Sequence, residues 1–371
     1  MTPPEAAAAP VPARWLAVDV LKAVASQLIV LHHLAFYGPM ADVAMPLWPT
    51  LFDFLAHDGR IAVQVFLVLG GFLAARGLAP HGRLPAHARP LALAAQRYRR
   101  LVLPYAVVLA LAVAASALAS RWMLHPSIPA PPGAAQLLAH LLLLQDLLGY
   151  ESLSAGLWYV AIDLQLFVLL LALLAAGRRC GRAGPAPWLV LALAATSLLW
   201  LNRIAAWDVA APYFFGSYGL GVLLAWRLAG GARIAWTLAL LAAVVGLWLE
   251  WRWRIAMSLG VALLLFACAT APVTWRAGAR AATDGPRATA LWAWLSRISF
   301  GVFLVHFPVL LLVNAAFTRF SPSVPAVQAA GMLVAWAASV AAGASFHRWV
   351  ERPLLAWRWA GGPALSALKA R

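Results

Sequence analysis

The sequence predicts an all-α, polytopic integral membrane bundle of about ten transmembrane helices, with both termini in the cytoplasm. The first observation is composition: 64% of the 371 residues are hydrophobic, only 11% are charged, and the mean hydropathy is +0.82. A soluble protein has about 25% charged residues, so most of this surface must face something other than water. The second is length: at about 20 apolar residues per crossing, the chain accommodates about ten spans.

The spans follow one another along the chain as apolar runs separated by short polar segments. They cover residues 15–37, 61–79, 101–123, 157–176, 188–201, 212–226, 234–249, 255–271, 298–317 and 328–346. This pattern predicts a cytoplasmic tail at 1–14, one membrane domain at 15–347 and a second cytoplasmic tail at 348–371. The first residues have too many prolines and too little basic charge for a cleavable signal peptide, so the first helix is expected to remain.

The third observation is the position of the basic residues, which gives the orientation. With the N-terminus inside, the outer segments hold only six of the 28 lysines and arginines, and Lys22 lies within a span. The six are Arg60, Arg121, Arg203, Arg252, Arg254 and Arg319. All the others fall on cytoplasmic segments, as the positive-inside rule expects. The net charge of +16 therefore indicates topology and a lipid bilayer as partner, and no nucleic acid is expected.

Two outer segments, 38–60 and 125–156, are longer than simple connections require. Within the second, the apolar run 137–148 is too short to span and predicts a helix in the membrane interface or re-entering the bundle. The two cysteines, Cys180 and Cys268, fit neither a disulfide pattern nor a metal-ligand spacing, so no metal is expected.

The first span is the most polar one. Lys22 and His33 are eleven residues apart, which is three helical turns plus about 20°, so they share one face at a separation of roughly 16 Å. His32 points about 80° away, and Asp19 is close enough to Lys22 to pair with it. Ionisable groups inside a membrane are costly and indicate function. The alternative is an ion pair that merely orients the helix.

The fourth span carries Asp163 and Gln165, and Asp163 lies at a depth comparable with His33. We expect its carboxylate to contact the imidazole of His33, raise its basicity and fix its tautomer. Alternatively, Asp163 pairs with an arginine or a backbone group. A lone histidine, His306, lies within the ninth span, where a hydrogen-bonding role in the core is the simpler interpretation.

Three arginines, Arg97, Arg99 and Arg100, directly precede the third span on the cytoplasmic side. Guanidinium groups at the cytoplasmic end of a span suit a phosphate-bearing ligand. They suit lipid phosphates and topology equally well.

Six segments together resemble the bacterial membrane acyltransferase-3 family, which O-acylates cell-surface glycans and related molecules. They are VDVLKAVASQLIVLHH at 18–33, FLVLGGFLAAR at 66–76, RYRRLVLPY at 97–105, LWYVAIDLQLF at 157–167, ISFGVFLVHFPV at 298–309 and FHRWVERPL at 346–354. The first resembles the family's basic residue, ten positions and histidine. The third resembles its arginine, two residues, arginine motif.

The resemblance implies an enzyme of the bacterial inner membrane that uses acyl-CoA, most simply acetyl-CoA, as co-substrate and a glycan as acceptor, with no bound cofactor. Arg97 and Arg100 would bind the donor's phosphates, His33 would act as general base, and Asp163 would orient it. Lys22 with Asp19 would have a donor-binding or structural role. Candidates for supporting roles are His32, Gln165, His306 and Glu351.

Departures from the family pattern mark a divergent branch. Lys22 stands where arginine is usual, Gly70 where serine is common, Asp163 where glutamate is common, and Leu164 where a second acid often follows. The acceptor and the length of the acyl group therefore stay open.

The main rival class is a transporter or channel, in which the intramembrane Asp, Lys and His residues would form a relay. A glycan polymerase or glycosyltransferase would call for larger outer loops and usually a pair of acids, and the sequence has no such pair.

Overall fold

The computed structural model describes residues 15–179, 185–271 and 286–356, and every regular element within those ranges is helical. The α-helices are α1 (Leu16–Phe36), α2 (Pro39–Ala44), α3 (Pro49–Asp53), α4 (Val63–Leu78), α5 (Pro90–Ala119), α6 (Ala134–Leu141), α7 (Leu157–Arg179), α8 (Pro185–Leu199), α9 (Ala211–Leu228), α10 (Arg233–Leu249), α11 (Trp253–Thr270), α12 (Pro286–Phe320), α13 (Pro325–Phe346) and α14 (Arg352–Ala356). Short 3₁₀ and π turns connect several of them, among them the π turn Phe54–Asp58.

Each of the ten predicted runs forms a helix, and the all-α architecture is confirmed. In the described chain, seven segments are long and apolar enough to cross a membrane: Leu16–Phe36, Pro49–Leu78, Pro90–Ala119, Leu157–Arg179, Trp253–Thr270, Thr289–Phe320 and Pro325–Ala356. Helices α8, α9 and α10 are not among them, and α10 is a shorter apolar helix. The count of ten spans and the side of each terminus stay predictions.

Two helices begin much earlier than the hydropathy predicts. Helix α5 starts at Pro90 and α12 at Pro286, whereas the predicted spans start at 101 and 298. Alanine, leucine and arginine fill the extra turns of α5, and all three are good helix formers whether or not they lie in a membrane. Arg97 and Arg100 are therefore held on a rigid helix.

The predicted interfacial helix at 137–148 is wrong beyond Leu141. Helix α6 ends there, and Leu143 adopts a left-handed backbone conformation with φ of 57°. That conformation cannot continue a right-handed helix. The remaining apolar residues of the run form turns.

Helices α4 and α9 make a close contact through glycine. A Cβ atom on Gly71 would clash with the carbonyl oxygen of Tyr218, and one on Gly221 would clash with the carbonyl oxygen of Val68. Small residues of this kind let two helix backbones approach closely in membrane bundles. The pair forms the centre of the largest apolar cluster.

Helix α1 packs against α12, and the turn after α1 fixes their relative position. Gly38 follows α1 with φ of 106°, a conformation that favours glycine. The backbone N–H of Met40 then donates to the side-chain oxygen of Asn314 on α12 at 3.1 Å. The contact between these two helices brings together residues that are far apart in sequence.

Candidate functional site

A cavity of about 640 Å³ opens where α1 ends. Its lining comes from the end of α1, the 3₁₀ turn before α4 and the starts of α7, α9 and α11. These termini therefore meet at one face of the bundle, as expected for helices that alternate in direction. His32 and His33 of α1 both line the cavity, together with Gln64 and Trp158.

Beside this cavity, His33 contacts a second histidine, His306, edge to edge. Nδ1 of His33 lies 2.6 Å from Nε2 of His306, and the two rings are nearly parallel, with an interplanar angle of 5°. His33 is 8% exposed and His306 is fully buried. Two residues separated by 273 positions in the chain are thus joined by a direct hydrogen bond.

Backbone carbonyls fix the protonation of this pair. Nδ1 of His306 lies 2.7 Å from the carbonyl oxygen of Phe303 and 3.2 Å from that of Val302. A carbonyl oxygen only accepts, so Nδ1 of His306 must carry the proton, and its Nε2 accepts in the neutral ring. His33 therefore donates from Nδ1. Its Nε2 keeps a free lone pair and is the nitrogen available to take a proton.

His32 has a separate anchor. Its Nδ1 donates to the carbonyl oxygen of Leu55 in the π turn at 2.8 Å, and its ring stacks at a tilt on that of His33 with centroids 4.8 Å apart. Neighbouring positions on a helix differ by about 100°, yet both rings line the cavity because it wraps around the end of α1. His32 lacks the contact to His306 that distinguishes His33.

The expected contact between Asp163 and His33 is absent from the structure. Oδ2 of Asp163 instead lies 2.5 Å from Nη2 of Arg97, and the guanidinium of Arg97 also stacks over Phe167. The early start of α5 brings Arg97 into the bundle, where its charge needs an anionic partner. The alternative interpretation, a pair with an arginine, is therefore the one that the structure adopts.

The remaining candidates lie at three separate places. Asp19 is buried and Lys22 half-buried near the start of α1, and both take part in interactions there. Gln165 accepts a hydrogen bond from the backbone N–H of Ala211 at 3.0 Å and so caps α9. Glu351 pairs with His347 at 2.8 Å beyond the end of α13.

Arg100 is exposed on α5 one turn from Arg97. It makes no ion pair with any described residue, so its charge is available to a ligand, whereas that of Arg97 is matched by Asp163.

The sequence analysis missed a buried hydroxyl and amide cluster beside the cavity. Ser217 on α9 donates to the side-chain oxygen of Gln64 at 2.7 Å, and Ser258 on α11 lies 2.7 Å from Ser217 and 3.1 Å from that oxygen. The sequence does contain a feature that could have predicted this cluster, because Gln64 is the only strongly polar side chain in helix α4 before Arg76.

Within the described ranges, no group of three or more His, Cys, Asp or Glu side chains could hold a metal ion.

A family model described as an acyltransferase domain, acyltransferase-3, matches residues 15–344. No curated protein and no solved structure matches the chain significantly. The family match runs from the start of α1 to the last turn of α13 and so includes every element that lines the cavity. It agrees with the resemblance in the six sequence segments. The chain belongs to the acyltransferase-3 family and is a membrane acyltransferase.

Proposed function

We propose that this chain is an O-acyltransferase of the bacterial inner membrane. It moves an acyl group, most simply acetyl, from cytoplasmic acyl-CoA to a hydroxyl of a cell-surface glycan, with His33 as general base. The observation that carries the proposal is the hydrogen-bond chain from the Phe303 carbonyl through His306 to His33. It presents a free Nε2 next to a cavity whose volume is in the range of small-molecule sites, about 300–1,000 Å³.

In the proposed reaction, the acceptor hydroxyl gives its proton to Nε2 of His33 while its oxygen attacks the carbonyl carbon of the thioester. A C–O bond forms, the tetrahedral intermediate collapses, and the C–S bond breaks. The leaving thiolate of CoA then takes the proton from His33. The products are an ester and free CoA, and the enzyme returns to its starting state. A thioester is already an activated donor, so a positioned base is the main requirement.

On the donor side, the structure favours Arg100 over Arg97 as the contact to the phosphates of CoA. Arg97 already shares its charge with Asp163, whereas Arg100 is exposed and makes no ion pair with a described residue. We propose that the Arg97–Asp163 pair holds α5 against α7 and that Arg100 binds the donor. Lys22 and Asp19, near the same end of the bundle, would support the donor's entry.

The test of His33 uses protein purified into lipid nanodiscs, with release of the CoA thiol as the measured rate. His33→Ala should lower the turnover number by a factor of about 10² to 10⁴, because a positioned general base is lost. His81→Ala, an exposed histidine distant from the cavity, is the matched control and should keep normal turnover. If His33→Ala keeps full turnover, His33 is not the general base.

The same assay separates the enzyme from a transporter. A relay through Asp163 and His33 would require the two side chains to be in contact, and the structure instead pairs Asp163 with Arg97. Wild-type protein that consumes no thioester with any acceptor, while moving a solute across the membrane, would favour the transporter. Comparing the surface glycans of a deletion strain and its parent by mass spectrometry would then identify the acceptor.

For Arg100, substitution by glutamine should raise the Michaelis constant for acyl-CoA by about tenfold and leave the saturated rate nearly unchanged. The phosphates are remote from the reacting carbon, so the contact contributes uniform binding. Arg83→Gln, an exposed arginine in the loop before α5, serves as control. An equal rise in the Michaelis constant of both variants would mean that the exposed arginines attract acyl-CoA only through their overall charge.

A further inference from the structure

The arginines on the cavity face are an exception to the charge distribution of the chain. Only six arginines are assigned to the outer side, and three of them, Arg60, Arg252 and Arg254, line the one cavity that contains His33. They come from two separate segments, the 3₁₀ turn before α4 and the start of α11. The positive-inside rule disfavours basic residues on that side, so topology does not account for them.

Two of the three are held in place by protein groups. Arg254 donates to the hydroxyl of Tyr213 at 2.6 Å and lies 3.9 Å from Asp208. Arg252 donates to Glu250 at 2.9 Å and to the carbonyl oxygen of Asn202 at 2.6 Å. Their guanidinium groups are thus fixed at the cavity wall, and each keeps N–H groups that these bonds do not use.

Glu250 joins this arrangement to a fourth outer arginine. It pairs with Arg252 through one carboxylate oxygen and with Arg203 through the other, at 2.5 Å. The hydrogen bond from Arg252 lowers the pKa of Glu250, so the carboxylate stays charged and holds Arg252 in position. Four of the six outer arginines therefore lie at or beside the cavity.

Arg60 differs from the others, because it makes no ion pair or side-chain hydrogen bond with any described residue. It is exposed at the cavity and close enough to His32 to act on it electrostatically. Of the arginines and carboxylates that line the cavity, Arg60 and Asp58 make no ion pair with a described residue. Arg60 is therefore the guanidinium that remains available to an anion next to the two cavity histidines.

Aromatic side chains complete the site. Trp158, Phe214 and Trp253 line the same cavity, and Trp158 packs against Phe214 with ring centroids 5.8 Å apart. Rings of this kind offer flat apolar surfaces, and a planar guanidinium recognises carboxylate and phosphate groups through paired hydrogen bonds.

From this arrangement we propose that the acceptor is an anionic glycan, which carries its carboxylate or phosphate to Arg60 while a neighbouring hydroxyl faces His33. Arg252 and Arg254, whose charges are matched by acidic partners, would offer their remaining N–H groups to the acceptor, and the aromatic rings would contact the sugar. The inference deepens the proposed function and rests on it, because it names the class of acceptor for the same cavity.

The test compares matched acceptors with wild-type protein in nanodiscs of zwitterionic lipid and acetyl-CoA as donor. One pair is an oligogalacturonide and its carboxyl-reduced form, and the other is a sugar phosphate and its dephosphorylated form. Wild type should prefer the acidic member of at least one pair by about tenfold in kcat/KM, since one charge-assisted contact contributes roughly that factor. The pair that shows the preference distinguishes carboxylate from phosphate.

Substitutions at Arg60 connect the preference to the site. Arg60→Gln should bring the ratio of acidic to neutral acceptor close to one, and Arg60→Lys should keep part of it, because the charge remains while the paired geometry is lost. Arg121→Gln is the matched control, an exposed outer arginine that does not line the cavity, and it should keep the wild-type ratio.

Binding of the same compounds, measured by saturation-transfer NMR, makes the result independent of turnover. Equal binding of the acidic and neutral members would overturn the anionic acceptor, and an unchanged preference in Arg60→Gln would overturn the binding of its anion at Arg60. If thioester is still consumed, the proposed acyltransferase activity stands in either case. Failure to consume thioester with any acceptor would count against the proposed function, while selective binding of the acid would still support an anion site.

Discussion

His306 is the residue whose role the structure changes most. It accepts a hydrogen bond from His33 and donates to the carbonyl of Phe303, so it holds the ring of His33 in one tautomer and one orientation. It is fully buried and is not among the residues that line the cavity, so its proposed role is to position His33.

His306→Ala should therefore lower kcat by about 10- to 100-fold, the range found when an orienting partner is removed. The Michaelis constant for acyl-CoA should stay near its normal value. His306→Gln should recover part of the rate, because its amide oxygen can accept a hydrogen bond from Nδ1–H of His33. Equal activity of the two variants would assign His306 to packing alone.

For Asp163, the structure predicts a role in stability, whereas the sequence predicted a contact with His33. Because its partner is Arg97, Asp163→Asn should leave a half-buried cation unmatched and lower the stability of the bundle, without changing the pH dependence of the reaction. Arg97→Gln should destabilise in the same way.

The double variant should be more stable than the sum of the two losses predicts, with a coupling free energy of about 0.5–3 kcal/mol. Thermal unfolding of all four proteins in one detergent measures it. Additive losses, together with a shifted acidic limb of the pH–rate profile in Asp163→Asn, would instead support a contact between Asp163 and His33.

The sequence predicts how side chains on one helix are placed relative to each other, but it does not predict which side chains of different helices meet. The spacing of Lys22 and His33 follows from 100° per residue, and α1 is indeed unbroken across both positions. Which side chain meets His33 depends on the depth and rotation of other helices. Asp163 was the expected partner of His33, and the packing of α1 on α12 instead brings His306 to it.

At the scale of the helices, each run that hydropathy marks as a span is helical in the structure, but two of these helices start earlier than hydropathy predicts. It detects the part of a helix that suits lipid, and the first turns of α5 are helical for local reasons that hydropathy does not measure. The shift matters for the site, since it moves Arg97 from a loop to the interior of the bundle and gives Asp163 its partner.

The close contact of α4 and α9 predicts an effect of adding one side chain. Gly221→Val should lower the free energy of unfolding by about 1–3 kcal/mol, because the added atoms meet the backbone of α4. Gly260→Val is the matched control, since a Cβ atom at Gly260 has no neighbour within 4 Å. Similar thermal midpoints for the two variants would show that α4 and α9 can move apart without loss of stability.

For the whole molecule, the orientation in the membrane is the property that connects donor and acceptor. If the N-terminus is cytoplasmic, the cavity faces outward and Arg100 faces the cytoplasm. Single cysteines in a cysteine-free background can test this. Leu124→Cys, fully exposed after the end of α5, should react with an impermeant maleimide in intact cells, and His87→Cys only after lysis. The reverse pattern would invert the topology.

In the proposed reaction, the pair of histidines would also determine how the enzyme recovers between turnovers. In the described structure neither ring is hydrogen-bonded to a carboxylate, and the chain ends on a backbone carbonyl, which is polar but uncharged. A proton taken up by His33 therefore creates a positive charge that has no adjacent anion to hold it. In the proposed reaction, such an imidazolium would return its proton to the departing thiolate, so each cycle is expected to restore the neutral base without help from solvent.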